Sequence, residues 1–337
     1  MFIYAGIDEA GYGPMFGPLT VARFTLCIPN LDPDAGRSRP PDLWARLGRA
    51  VCRRLSETRG ADKPIAVNDS KLLTSKAAGF GHLERGVLTF AATMEDRPQP
   101  ATAADWLDLI GSTTHHALGP DHLPWYAADA DSPWQTLPAA WPADALPIDR
   151  GVLKQTCDRI GLHAEDLGCA VVFEDRFNDL VGRAGSKAAV SLRFVTRHLQ
   201  VLMEQFGDYH PLVVVDRQSG RTRYGDALRA AFPDAELTIH TEVPELSAYT
   251  VRQGGLSLDV RFLPEAETHH MPVALASMTA KYTRELLMQR FKAWWLAKLP
   301  EIRPCAGYGA DAVRFTQDIA PHLARLGLSM SDVRRRA

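Results

Sequence analysis

The sequence predicts an α/β domain built on a mixed sheet. Three observations point there. The chain opens on a short apolar, β-prone stretch, Phe2 to Ile7. Later, strand-like runs alternate with long amphipathic helices. One of those runs, Pro211 to Asp216, is continuously apolar and ends in a carboxylate, the pattern of a strand buried on both faces. At 337 residues and 46% hydrophobic, the chain can bury a core for one large domain or two modest ones. We expect a catalytic domain over residues 1–300 and a helical extension of it over 301–337.

The first strand runs into Gly11-Tyr12-Gly13-Pro14-Met15-Phe16-Gly17-Pro18, a turn dense in glycine and proline. Leu19 to Ile28 reads as a second strand, antiparallel to the first. Pro29 to Pro41 is a loop. Asp42 to Ser56 carries apolar residues at helical spacing and predicts a helix. From about residue 79 to 155 the character changes. Trp125, Trp134 and Trp141 sit among prolines, alanines and aspartates, so an insertion with little regular structure is expected, with a short helix near Ala103 to Ile110. Gly168 to Glu174 predicts a strand, Ser186 to Phe206 an amphipathic helix, and Leu237 to Glu242 a further short strand. Met271 to Trp295 predicts a long helix, and Ala310 to Leu326 another. The chain closes on Arg334, Arg335 and Arg336.

Formal net charge is −2, so no global basic field advertises nucleic acid, although a local basic groove remains compatible with it. Five scattered cysteines, odd in number and without a CxxC pair, speak against a disulfide framework or structural zinc and for buried reduced thiols. The N-terminus lacks the basic and apolar regions of a secretory signal, and no run reaches the roughly 18 apolar residues of a membrane span. A cytoplasmic monomer without membrane attachment is expected.

The chemistry centres on Asp8 and Glu9. Neighbouring side chains of a regular strand point to opposite faces, so both can serve one site only where the strand ends or bulges. Adjacent carboxylates repel unless a cation lies between them. The bland alternative is a solvated acidic turn. The glycine spacing 11, 13, 17 is one residue too long for a dinucleotide fingerprint. Asp216 lies at the carboxyl end of a buried strand, a usual place for a site; the alternative is a cap. Glu285, in the long helix, taken alone reads as an exposed helix acid. His115, His116, His269 and His270 read as ordinary loop histidines.

These residues carry a resemblance. GIDEAGYGPMFGP (6–18) resembles the opening motif of type 2 ribonucleases H, and Asn68-Asp69-Ser70-Lys71-Leu72 the second motif of that family. Val214-Val215-Asp216 is similar to the strand bearing its third carboxylate, ALASMTAKYTRE (274–285) to its helix, and Gly307-Tyr308-Gly309 to its late motif. The resemblance implies a ribonuclease H-like fold, a mixed five-stranded sheet flanked by helices with a C-terminal helical part. It implies an endonuclease cutting the RNA strand of RNA/DNA hybrids, or ribonucleotides embedded in duplex DNA. Asp8, Glu9, Asp216 and Glu285 would be the catalytic, metal-holding carboxylates. Hard oxygen ligands suit Mg²⁺ or Mn²⁺, and two such ions about 4 Å apart can serve phosphodiester hydrolysis. Gly11, Tyr12 and Gly13 would meet a ribose 2′-hydroxyl through their backbone, Tyr308 would stack on a sugar, and Lys71 would contact a phosphate.

The match departs at named positions. Tyr12 stands where the family most often has a basic residue, Leu72 replaces a lysine, Glu285 an Asp, and Arg217 a glycine. Two other functions fit the same motifs: a non-catalytic nucleic-acid-binding relative, and a nuclease of this fold with a different nucleic-acid substrate.

Overall fold

The computed structural model describes every residue except 59–62, 75–78, 96, 112–122, 128–132 and 337. Its centre is a mixed sheet of seven strands, two more than expected. In chain order the strands are β1 (Phe2–Ala10), β2 (Leu19–Ile28), β5 (His163–Val172), β6 (Leu212–Asp216), β7 (Glu236–Val243), β8 (Leu246–Gln253) and β9 (Leu256–Leu263). They lie in the order β5-β2-β1-β6-β9-β8-β7. The short β3 (Val51–Cys52) and β4 (Ile65–Ala66) pair separately. Within the seven-stranded sheet β1, β6 and β9 are parallel neighbours and the other pairings are antiparallel; β3 and β4 are parallel.

Parallel pairing explains the apolar run Leu212 to Val215. A parallel strand inside a sheet is covered on both faces, so alternation disappears. Along β1 the alternation sorts the two faces. Phe2 and Tyr4 join one core, Ala5 and Ile7 the other. The second core is closed by helix α7 (Lys187–Phe206), whose Val195, Leu199 and Leu202 are buried; Ser186 caps its start by accepting from the Ala189 N–H at 3.2 Å.

The first core is closed by helix α9 (Met271–Lys298), which crosses β1 closely enough that glycine is required at position 6. A Cβ there would meet the backbone of Pro272 and Val273 at 2.2 Å. The outer face of α9 is buried too, by the 79–155 region. That region is not the largely irregular insertion expected. It holds α3 (Gly81–Ala91), α4 (Ala103–Leu109) and the start of α5 (Leu146–Ile160). Three of its four tryptophans, Trp106, Trp125 and Trp134, meet α9, the last beneath the Arg290 guanidinium. Trp106 donates its indole N–H to Thr283 Oγ1 at 3.0 Å, and Trp125 packs on Phe291, Trp294 and Trp295. Buried Glu84 on α3 accepts from the Ala139 and Trp141 amides, each at 2.7 Å, and from the Tyr282 hydroxyl at 2.9 Å.

Other expectations change. The helix expected over Asp42 to Ser56 is one turn, α2 (Leu43–Leu47), ended by Gly48 at φ +55° and followed by β3. Strand β5 starts five residues earlier than Gly168. The segment after it folds as α6 (Glu174–Ala184), which the sequence reading missed. The sequence reading also missed β8 and β9, which form a hairpin around Gly254-Gly255, both at positive φ. All five cysteines are buried and unpaired. Among the described residues no helix is long and apolar enough to cross a membrane.

The two glycine environments predict opposite effects. Gly6→Ala should destabilise by about 3 kcal/mol or more, because the obstacle is backbone. Gly151→Ala, exposed in α5 with open space around it, should stabilise by roughly 0.5–1 kcal/mol. Thermal melts of both variants check the pair; similar shifts in the two would overturn this packing.

Candidate metal centre

Pairing between β1 and β6 ends at Ile7 opposite Val215, so Asp8 and Asp216 follow at the same level of adjacent parallel strands. Both side chains therefore lean to the α9 face. Strand β1 does not end or bulge at Glu9. It stays paired with β2 through Ala10, so Glu9 points to the α7 face. The acids share a site because β6 stops at Asp216, leaving the edge of β1 beyond it open from both faces.

Each acid has a partner that orients it. Ser277 on α9 hydrogen-bonds the Asp8 carboxyl, and the Glu9 N–H donates to Asp8 Oδ1 at 2.7 Å. Gln218 Nε2 donates to Glu9 Oε2 at 3.3 Å and to Ser191 Oγ on α7 at 2.7 Å. Asp216 Oδ1 accepts the Ala266 N–H at 3.0 Å. The residue after Ala266 brings in a fourth acid, Glu267, whose carboxyl hydrogen-bonds that of Asp216.

Electrostatics tie these four together. Asp8 is 8% exposed, and burial, then Asp216 and Glu9, hold its pKa well above the usual carboxylate range. Burial raises Glu9 and Asp216 as well, and burial with Asp216 raises Glu267 to about 7. Lys71 reaches the same group. Asp69 first, then Asp8, Glu267 and Asp216, raise its pKa and keep it charged. Its segment is docked on α9 by a 3.1 Å hydrogen bond between Ser277 Oγ and Ser70 Oγ. One buried oxygen, Glu267 Oε2, has no hydrogen-bond partner. Among the described residues no three acids, histidines or cysteines converge tightly enough to enclose an ion.

Glu285 is not with them. It lies eight residues, about 12 Å, along α9 from Ser277. There it pairs with Lys281 at 2.6 Å. Burial raises its pKa, but Lys281, Arg284 and Lys292 outweigh burial and hold it below its ordinary value. The place expected for it beside Asp216 is taken by Glu267. A signal for Glu267 was present: Gly254-Gly255 between two alternating runs marks a hairpin. Recognising that hairpin would have placed the residues after Leu263 at the same sheet end as Asp216.

The glycine-rich turn borders this centre. Gly11 needs its φ of +84°, since a Cβ would lie 2.5 Å from the Pro18 carbonyl oxygen and 2.6 Å from Arg284 Nε. Tyr12 is partly exposed, with the Lys187 ammonium 5.0 Å from its ring centroid, so a cation from α7 stands at the tip of the turn. Gly13 has open space around it. Tyr308, 46% exposed, stands over the Arg284 guanidinium at 5.8 Å. Its neighbour Gly307 accepts the Met15 N–H at 2.7 Å, joining the late motif to the turn. His270 is bonded to the Tyr4 hydroxyl and held by burial at a pKa of about 4; His115 and His116 lie outside the described residues.

No protein-family model matches this sequence, and no curated protein matches it. The structure is similar, over nearly its whole length, to a chain of the PCNA:RNase HII complex from Archaeoglobus fulgidus (15% identity, 99% of this chain and 95% of that one, TM-score 0.44). It is similar to ribonuclease H2 from Pyrococcus horikoshii OT3 (14%, 98% and 92%, TM-score 0.44). A third likeness is to Bst-RNase HIII in complex with Mn²⁺ (15%, 99% and 66%, TM-score 0.42).

Proposed function

We propose that this protein is a metal-dependent endonuclease of the ribonuclease H kind, hydrolysing the RNA strand of RNA/DNA hybrids or ribonucleotides embedded in duplex DNA. The observation that carries this reading is the gathering of Asp8, Glu9, Asp216 and Glu267, with Lys71, at the carboxyl end of parallel strands.

The residues present fit divalent cations. The donor set is all hard oxygen, which suits Mg²⁺ or Mn²⁺, and Glu267 Oε2 is a buried acceptor without a donor. Asp8, Glu9, Asp216 and Glu267 would hold such ions, which would supply water activation and charge stabilisation at the leaving oxygen. The protein's own part is placement. Ser277 fixes Asp8, Gln218 fixes Glu9, and the Ala266 amide fixes Asp216, so the carboxyls are aimed before substrate arrives. Lys71, charged beside them, meets a backbone phosphate, and the half-exposed Tyr308 ring packs on a sugar. Just past Asp216, Arg221 and Arg223 are exposed, Arg221 with its guanidinium 5.9 Å from the Tyr224 ring centroid, so they add cationic reach for a duplex.

Cleavage of an end-labelled RNA/DNA hybrid in Mg²⁺ should fall more than about 100-fold in Asp8→Asn and in Glu267→Gln. Glu285→Gln should keep most of its activity. A wild-type protein that cuts neither a hybrid nor an embedded ribonucleotide overturns the function, and a silent Glu267→Gln overturns the ligand set.

The raised carboxyl pKa values set a pH dependence. A carboxyl that binds its proton more tightly folded than unfolded adds stability at low pH, and loses it as pH rises through the folded value. In chelator, the melting temperature of the wild type should therefore fall relative to Asp8→Asn as pH rises above the usual carboxylate range. Mg²⁺ or Mn²⁺ should raise the wild-type melting temperature more at pH 8 than at pH 5, and raise Asp8→Asn less. Parallel melting curves would contradict the mutual repulsion described above.

Hybrid binding in chelator should weaken with salt. Replacing Arg221 and Arg223 together by Ala should lower the slope of log K against log salt by about 2. An unchanged slope removes that loop from the duplex path.

A further inference from the structure

We propose that Arg335, the third residue from the last in the sequence, is a positioning residue for the glycine-rich turn, holding its backbone so that the tip, Tyr12 and Gly13, keeps its amides and carbonyls free for substrate. The inference rests on the nuclease reading for what the turn meets, and on geometry alone for what holds it.

The backbone partners of the turn come from four distant places in the chain. Arg335 Nη2 donates to the carbonyl oxygens of both Gly11 and Pro14, and its backbone N–H donates to the Met15 oxygen at 2.8 Å. Gly307 accepts from the Met15 N–H at 2.7 Å. Arg284 Nη2 donates to the Phe16 oxygen at 2.7 Å, and Glu174 Oε1 accepts the Gly17 N–H at 3.0 Å. Among the described residues no hydrogen bond reaches the backbone of Tyr12 or Gly13, and a Cβ on Gly13 would touch nothing within 4 Å. The turn is thus gripped at both ends and open at its tip. Among the described residues only Arg335 spans the tip, tying Gly11 on one side to Pro14 on the other.

A purely structural role fits this side chain poorly. Arg335 is 2% exposed, yet its Nε and Nη1 have no acceptor, and its guanidinium lies 4.6 Å from the Phe177 ring centroid. A buried, half-satisfied cation costs stability that an apolar side chain of similar size would not. What it supplies instead is a pair of directed bonds to two carbonyls. The segment that carries it is fastened separately. Asn178 Nδ2 donates to the oxygens of Ser331 (2.8 Å) and Arg334 (2.9 Å), and its Oδ1 accepts the Arg336 N–H at 2.6 Å. The tail therefore stays docked without the guanidinium.

The test compares Arg335→Met and Arg335→Lys with wild type in the full-length protein. Hydrogen–deuterium exchange is read across the turn, together with steady-state cleavage of an RNA/DNA hybrid. Arg335→Met should melt within a few degrees of wild type or above it, while the hydrogen-bonded amides of the turn, those of Met15 and Gly17, exchange at least tenfold faster. Its KM should rise about tenfold with kcat much less changed, and Arg335→Lys should recover part of both. Unchanged exchange at the Met15 and Gly17 amides, or a loss of protection spread evenly over the whole protein, would overturn the proposal. If wild type cuts no hybrid, the nuclease reading fails, and the exchange measurement still decides the role of Arg335.

Discussion

Four carboxyl groups held at one end of a sheet repel one another, and the structure around them is arranged to withstand it. Asp8, Glu9 and Asp216 sit on strands locked by parallel pairing of β1 with β6, and Glu267 follows β9 in a short turn tied to Asp216 by the Ala266 N–H. A loop could relieve the repulsion by moving away. A central strand cannot, because shifting it would break ladder bonds and displace two cores. Repulsion is answered by protons, by Lys71 and by oriented donors from Ser277, Gln218 and Ala266. This is the electrostatic state that a divalent cation relieves.

Helix α9 connects the scaffold to the site. One face crosses β1 over Gly6, and a residue with any side chain there would push the helix, and Ser277 with it, off Asp8. Further along, Arg284 reaches under the glycine-rich turn, and Thr283 receives the indole of Trp106. The tryptophan-bearing region is therefore a cover that buries the back of the helix. Its burial fixes the depth at which α9 sits, and so the height of Ser277 and Arg284 against β1 and the turn.

Several features were legible in particular residues. The β1 strand, the breaker-rich turn, the apolar β6 with its terminal carboxylate, and the α7 and α9 patterns each rest on local periodicity or on glycine and proline. Where the reading failed, tertiary contacts had overridden it. Asp42 to Ser56 has helical spacing, but Gly48 takes a positive φ and Val51-Cys52 pair with Ile65-Ala66, so the helix stops after one turn. The β8–β9 hairpin was signalled by Gly254-Gly255 and overlooked, and with it the place of Glu267.

By itself the sequence determined which residue types could do chemistry and which elements carry most of them: adjacent acids leaving an apolar strand, an acid ending another, and a turn permissive enough for unusual backbone. Only the tertiary structure decided which acids meet. Glu285 and Glu267 are both glutamates near the same long helix, and nothing local separates them. Helical rise carries one about 12 Å down the axis to a lysine, while parallel pairing of β9 with β6 delivers the other to Asp216. In the same way, three terminal arginines read as a charged tail. Docking on Asn178 turned one of them inward against the turn, a contact 324 residues distant in sequence.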